Sequence, residues 1–318
     1  MATGMSLHIG LNAVDPQHYE GWSGPLNACE ADANDMADLA HTSGFAPTRL
    51  ITRKATRAAV LGGIAQAAKS LKSGDMFFLT YSGHGGQLPD LNGDEPDGKD
   101  ETWCLYDGEL VDDELYSSWG AFAAGVRILL LSDSCHSGSV SKALHYQARA
   151  RTVLGTVYRA MPDEMALRVY QANRKTYDPI LKRRDLSEAF SNVKASVLLI
   201  SGCQDNQLSQ DGTFNGLFTG TLKAVWNGGT FKGSYRRFHT AIGAKMPPDQ
   251  SPKLSLVGAS NPAFMAARPF TLAKTKKAVT KKKKSAAKKG KNPARRNSRQ
   301  RRHGAAGETE RRRNWLGN

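Results

Sequence analysis

The sequence predicts an α/β fold in which one mainly parallel sheet is covered by helices on both faces. Three observations predict it. Residues 76–81, 126–131 and 197–200 are short, unbroken apolar runs, the pattern of strands buried on both sides. Residues 28–43 and 56–71 instead carry apolar positions at near-helical spacing. Strands that alternate with amphipathic helices make parallel, layered sheets.

The elements follow in order. Residues 7–11 (Leu-His-Ile-Gly-Leu) read as a first apolar strand, and a turn-rich stretch then runs to Gly24-Pro25. The helix over 28–43 stops at Gly44, a natural C-terminal residue because glycine adopts the left-handed conformation freely. Residues 50–52 read as a second strand, and the helix over 56–71 is stopped by Ser73-Gly74-Asp75. The pattern weakens over 141–191, which is rich in basic residues and includes a helical piece at 163–172. The expected organisation is a domain over 1–270, with a first half to 140, a linking segment over 141–191 and a second half over 192–270. A tail over 271–318 follows.

Composition separates two problems. The formal net charge of the 318 residues is +15, yet 271–318 hold 10 Lys and 8 Arg against 2 Glu, a net of +16, so the first 270 residues sum to −1. The globule is nearly neutral; the tail is low in apolar residues and reads as disordered. The tail can bind nucleic acid or an anionic surface through phosphate contacts, whereas its single aromatic, Trp315, gives no basis for base stacking. No stretch approaches the ~20 apolar residues of a membrane helix, and no secretory signal pattern opens the chain. The four cysteines, Cys29, Cys104, Cys135 and Cys203, are widely spaced and read as free thiols. The expected location is the cytoplasm, and a monomer is the expected state.

Two strand ends carry the chemistry. The run ending at Tyr81 leads into Ser82-Gly83-His84-Gly85-Gly86, and the run ending at Leu131 leads into Ser132-Asp133-Ser134-Cys135-His136-Ser137-Gly138. If the two strands are neighbours, an imidazole and a thiol meet at one sheet edge, where reaction sites of parallel sheets form. A thiol attacks as thiolate, and an adjacent imidazole takes its proton. Backbone N–H groups near Gly85 and Cys135 can hold an oxyanion. Residues two apart on a strand share a face, so Asp133 lies beside Cys135 and Ser82 beside His84. A carboxylate next to a thiol raises the thiol pKa. Asp133 therefore makes better sense as the receiver of a cationic substrate side chain, Lys or Arg, before the scissile bond.

These two motifs together resemble the metacaspases, members of the caspase-like cysteine proteases, over roughly residues 6–270. The separation from His84 to Cys135 is 51 residues, and caspases keep about 50; the caspase Gln-Ala-Cys-Arg-Gly context is absent. The resemblance implies a caspase-like three-layer sandwich and a cysteine endopeptidase with His84 and Cys135 as its dyad. It implies a pocket for Arg or Lys from Cys29, Asp32, Ser82 and Asp133, with Cys29 readable equally as plain core. It implies that 199–207 and 215–219 complete the substrate cleft, and that the chain can process itself within 141–191 or trim its tail.

The resemblance also implies calcium activation, with Asp100, Asp112 and Asp113 as ligands. A carboxylate-rich loop over 90–101 suits a hard cation, although the same loop reads also as a solvated turn. Asp90, Asn92, Asp94 and Glu101 fall at EF-hand positions, but Glu95 stands where that loop needs glycine, so an EF-hand is rejected. A ligand position of the family falls on Lys142, which weakens the calcium reading. Two rivals remain: a catalytically silent scaffold, and a nucleic-acid-binding protein working through its tail.

Overall fold

The computed structural model describes residues 2–134, 157–189, 192–204 and 207–273. A six-stranded sheet organises the domain: β1 (Gly4–Gly10), β2 (Ala46–Ile51), β3 (Met76–Ser82), β7 (Arg127–Asp133), β8 (Ser196–Ser201) and β9 (Lys253–Gly258), in the order β2-β1-β3-β7-β8-β9. All pairings are parallel except β8 with β9. β3 and β7 are direct neighbours, with Tyr81 opposite Ser132 and Ser82 opposite Asp133.

The continuous apolar runs arise because both faces of β3 and β7 are buried. Phe78 and Leu129 join one core with Met36 of α1 (Cys29–Thr42), Phe218 and Trp226 of α7 (Leu217–Trp226) and Phe238 of α8 (Tyr235–Gly243). Phe77, one residue from Phe78, points the other way and stacks on Phe122 at 5.5 Å; Phe122 in turn meets Trp119 at the end of α3 (Asp112–Trp119). α2 (Arg57–Ser70) also packs on that side of β1. Its N-terminus is capped by the Thr56 hydroxyl, which accepts from Ala59 N–H at 3.2 Å.

The structure differs from the sequence reading in three places. β2 begins at Ala46, four residues before the expected strand, because this edge strand carries Pro47, Thr48 and Arg49 and lacks an apolar run. A second, three-stranded antiparallel sheet was not expected: β4 (Gly85–Pro89), β5 (Lys99–Leu105) and β6 (Gly108–Val111). And the described part of 141–191 is packed into the domain. It forms α4 (Asp163–Ala172), α5 (Arg174–Leu181) and α6 (Arg184–Ala189). Met161 and Val169 are buried against Val14, Tyr19 and Cys104, and Tyr177 and Leu181 against Leu88 and Val111. After α9 (Pro262–Ala266), Phe270 closes the core against Phe78 and Trp226. No helix among the described residues is long and apolar enough to cross a membrane.

Candidate active site

The chain leaves β1 toward β2 and returns across β1 to β3. This creates a switch point between β1 and β3, and clefts form beyond the C-terminal strand ends at such points. The loop after β1, the loop after β3 and the end of β7 all meet there.

His84 follows β3 directly and is 5% exposed. Its Nε2 lies 3.0 Å from the Gly24 carbonyl, so Nε2 carries the proton and donates it there. Nδ1 is buried with no hydrogen-bond partner, leaving its lone pair as the acceptor. Burial lowers the imidazole pKa to about 4 against the opposing pull of the Gly24 carbonyl, with the Arg159 charge lowering it further and Asp211 and the Ala160 backbone raising it. The ring is neutral near pH 7. Trp22 packs on it at 4.8 Å. Gly24 has φ +49°, and a Cβ there would meet His84 Cδ2 at 2.9 Å and Trp22 at 2.8 Å, so this orienting carbonyl requires glycine.

Cys135 lies outside the described residues, as do His136, Gly138 and Lys142. The preceding Ser134 is buried, with its Oγ 2.9 Å from Ser132 Oγ. Cys203 donates its thiol to the Ser134 carbonyl at 3.4 Å.

Asp32, Ser82 and Asp133 converge on one buried cation, Arg159. Asp32 sits in the first turn of α1, Ser82 ends β3 and Asp133 ends β7. Arg159 is 0% exposed. Its Nη2 lies 2.7 Å from Asp32 Oδ2, its Nη1 2.9 Å from Asp133 Oδ2, and its Nη2 3.0 Å from Asp211 Oδ1. Nη1 also donates to Ser82 Oγ at 2.9 Å, and Ser82 Oγ donates onward to Asp32 Oδ2 at 2.8 Å. The carboxylates are fixed from behind. Asp133 accepts from Ser209 Oγ at 2.6 Å and from Thr219 N–H and Oγ at 3.1 and 2.7 Å. Asp32 accepts from Asn215 Nδ2 at 2.9 Å and Gly216 N–H at 3.1 Å. Asp211 accepts from Asn27 N–H at 2.7 Å. Burial raises Asp32 to about 6, opposed by Arg159 and assisted by Asp133. The surrounding anions hold Arg159 well above its ordinary value despite its burial. Cys29 is buried beside this group, and burial pushes its thiol up to about 12.

The backbone around Arg159 is equally organised. Arg159 N–H donates to Ser209 O at 3.0 Å, Asp211 N–H to Val157 O at 2.8 Å, Gly85 N–H to Arg159 O at 3.0 Å, and Met161 N–H to Gly85 O at 2.8 Å. Residues 157–161 thus lie between 209–211 and Gly85, joined to them by isolated bridges at Tyr158–Gln210 and Ala160–Gly85 with a bend at Arg159.

The metal candidates divide. Asp100 on β5 and Asp113 on α3 come together with Asp94, each offering an oxygen within 4.8 Å of the others. Asp94 had a part only in the rejected EF-hand pattern. Asp112 lies outside this trio; it starts α3, where its Oδ1 accepts from Asp113 N–H at 2.9 Å. Burial and then neighbouring carboxylates raise Asp100 to about 9 and Glu95 to about 8.

Sequence reasoning missed Arg159, Asp211, Gly24 and Trp22. Arg159 is one cation in a basic stretch, and Asp211 follows no apolar run. The one available signal was electrostatic: buried Asp32 and Asp133 together demand a cation.

The comparisons with known proteins agree with this architecture. The caspase-domain profile of peptidase family C14 matches residues 13–274. Metacaspase-1 of Coccidioides immitis is 32% identical over 251 residues, 68% of this chain and 52% of its own length. Metacaspase-1A of Aspergillus oryzae is 31% identical over 251 residues, 69% of this chain and 58% of its own length. The chain thus spans little more than half the length of these relatives. The crystal structure of protein GSU0716 from Geobacter sulfurreducens superposes with a TM-score of 0.78 at 58% identity, covering 86% of this chain and all of that one. The profile match spans most of a chain whose parallel sheet carries a buried histidine and an anionic pocket at its strand ends, and the chain belongs to the caspase-domain family of peptidases, family C14.

Proposed function

We propose that this protein is an endopeptidase that cleaves after Arg or Lys. The observation that carries the reading is a fully buried guanidinium held by Asp32, Asp133 and Asp211 beside His84. An anionic cage of this kind receives a cationic side chain and rejects an anionic one, since unpaired buried charge is strongly unfavourable. Cys135 is the nucleophile. His84 Nδ1 takes the thiol proton while Nε2–H stays on Gly24, and the thiolate attacks the carbonyl carbon. Gly85 N–H and Cys135 N–H stabilise the oxyanion. The imidazolium then protonates the leaving amine, and neutral His84 activates water to release the acyl group.

Hydrolysis of fluorogenic peptides ending in Arg, Lys or Asp tests this. Arg and Lys peptides are cut, and Cys135→Ala and His84→Ala abolish cutting. Cleavage after Asp overturns the pocket, and no cleavage by folded protein favours the silent scaffold.

A divalent cation, Ca²⁺ by its donor chemistry, fits Asp94, Asp100 and Asp113: the donors are all hard oxygens, and Asp100 Oδ2 is buried with no hydrogen-bond partner. When bound, it neutralises carboxylates that otherwise repel one another. Of the tail expected over 271–318, residues 271–273 pack on the domain, with Leu272 against the core and the Thr271 carbonyl accepting from Arg127; the remainder, outside the described residues, attaches to polyanions such as nucleic acid. DNA binding that weakens steeply with salt and is lost with the tail checks this.

A further inference from the structure

We propose that Gln250 is a positioning residue of the substrate cleft. Its carboxamide holds the 209–211 segment that borders the cleft and, through Ser209, the Asp133 carboxylate of the pocket. This rests on the peptidase reading above and adds to it a residue that couples main-chain alignment to side-chain recognition.

Gln250 lies in the connection between α8 and β9 and is 0% exposed. A buried carboxamide needs partners for its oxygen and for both of its N–H groups, and here all three are met. Oε1 accepts Gln210 N–H at 3.0 Å. Nε2 donates to Ser209 Oγ at 2.8 Å and to the Gly202 carbonyl at 3.2 Å. The Gln210 amide can only donate and the Gly202 carbonyl can only accept, so the two ends of the carboxamide cannot be exchanged. Ser209, also 0% exposed, accepts from Gln250 and turns its own proton to Asp133 Oδ1, 2.6 Å away. The other Asp133 oxygen is taken by Thr219 and Arg159.

The direction of the backbone groups gives the Gln210 bond its role. Ser209 O and Asp211 N–H face residues 157–159, whereas Gln210 N–H turns the opposite way, to Gln250. This alternation is that of a paired strand, and the carboxamide supplies the partner on the side away from the cleft. Gln250 is itself held. Its N–H donates to Pro247 O at 3.0 Å, Gln207 Oε1 accepts Ser251 N–H at 2.6 Å, and Gln204 Nε2 donates to Pro252 O at 3.1 Å. Pro247, Pro248 and Pro252 limit the backbone freedom of the connection. These braces are neutral. A carboxylate in place of the carboxamide would offer no donor to Ser209 or Gly202, and it would set a further negative charge behind Asp133.

Full-length wild type, Gln250→Met, Ser209→Ala and Gln250→Glu are compared in hydrolysis of one Arg-ended fluorogenic peptide, with melting temperatures confirming that each is folded. Gln250→Met raises KM about tenfold and leaves kcat within about twofold, since a misaligned cleft weakens substrate and transition state alike. Ser209→Ala cuts the link to Asp133, keeps the bond from Gln210 and raises KM about threefold; it carries the test should Gln250→Met fail to fold. The double variant loses less than the product of the two effects, because Ser209 transmits part of what Gln250 does. Gln250→Glu is the sharpest arm. Near about pH 5 a protonated carboxyl both donates to Ser209 and accepts from Gln210, so KM stays close to that of wild type; near about pH 8 the ionised form raises it about tenfold. Variants whose melting temperature falls while KM stays within about twofold of wild type overturn the inference and leave the peptidase standing. So does a Gln250→Glu chain whose KM, relative to wild type, does not change with pH. Absence of hydrolysis by folded wild type removes the peptidase reading and this inference with it.

Discussion

Asp211→Asn isolates the carboxylate that completes the pocket. Its Oδ1 lies 3.0 Å from Nη2 and 3.3 Å from Nε of Arg159, a side-on approach to a guanidinium. Its Oδ2 accepts Asn27 N–H at 2.7 Å. Asparagine keeps the shape and, with its oxygen turned to Asn27, keeps that tether, but it points an NH₂ at the guanidinium. Breaking a buried ion pair costs about 3–5 kcal/mol. Two carboxylates remain, so we expect about 2–3 kcal/mol, or about 30- to 150-fold in kcat/KM. The assay uses the Arg159→Gln chain, so that Arg159 does not compete for the pocket, with peptides ending in Arg and in Lys. A lysine ammonium has no counterpart to Nε, so the Arg peptide loses more than the Lys peptide. A loss below about threefold from folded protein would mean that Asp211 does not face the substrate. An equal loss on both peptides would refute the side-on argument.

Other expectations concern buried charge. Glu109 is 0% exposed, its Oε1 lacks a partner and its Oε2 accepts from Thr102; burial lifts it from 4.5 to about 8, against the pull of Thr102 and Arg57. The folded state therefore retains a proton that the unfolded state releases, and stability falls as pH rises from about 4.5 to 8. Glu109→Gln matches wild type near about pH 5 and exceeds it by about 2–4 kcal/mol near about pH 8, read by thermal unfolding; a pH-independent gap sinks the argument. Calcium at about 100-fold over its Kd adds about 2–3 kcal/mol to wild-type stability. Asp100→Asn abolishes that increment while raising the melting temperature of the metal-free protein; a calcium increment that survives it rejects the site. Arg159→Gln leaves Asp32, Asp133 and Asp211 facing one another, so its thermal destabilisation relative to wild type is larger near about pH 8 than near about pH 5, where Asp32 protonates. Equal destabilisation at both would mean that other cations enter the pocket.

The legible part of the fold was the part where sequence pattern and burial coincide. β3 and β7 are apolar on both faces because both faces are covered, and each ends abruptly in small polar residues, so their ends and the residues after them could be read directly. β2 was shifted because an edge strand shows no apolar run. β4 was invisible because Gly85-Gly86-Gln87-Leu88-Pro89 has weak strand character; its pairing is with β5, beyond an acidic loop. In the site, Asp32, Ser82 and Asp133 could be named, since they flank recognisable strand ends or belong to a known motif. Arg159 and Asp211 could not. They are placed by tertiary contacts with residues up to 184 positions away, and nothing in their neighbours announces them. Asp94 was in view, but its partners were assigned by loop position, whereas the structure joins it to α3.

The Arg159 cage also bears on how the domain assembles. Asp32 and Asp133 come from the first half of the chain and Asp211 from the second, and three like charges would resist being brought together in a dry site. A cation already tethered to the same polypeptide removes that resistance while the halves close. The guanidinium thus works as a template, around which the pocket takes its shape before any foreign peptide arrives. A chain expressed without residues 157–161 should collapse to a native pocket slowly, and free arginine or a short Arg-bearing peptide in the refolding buffer should restore its rate.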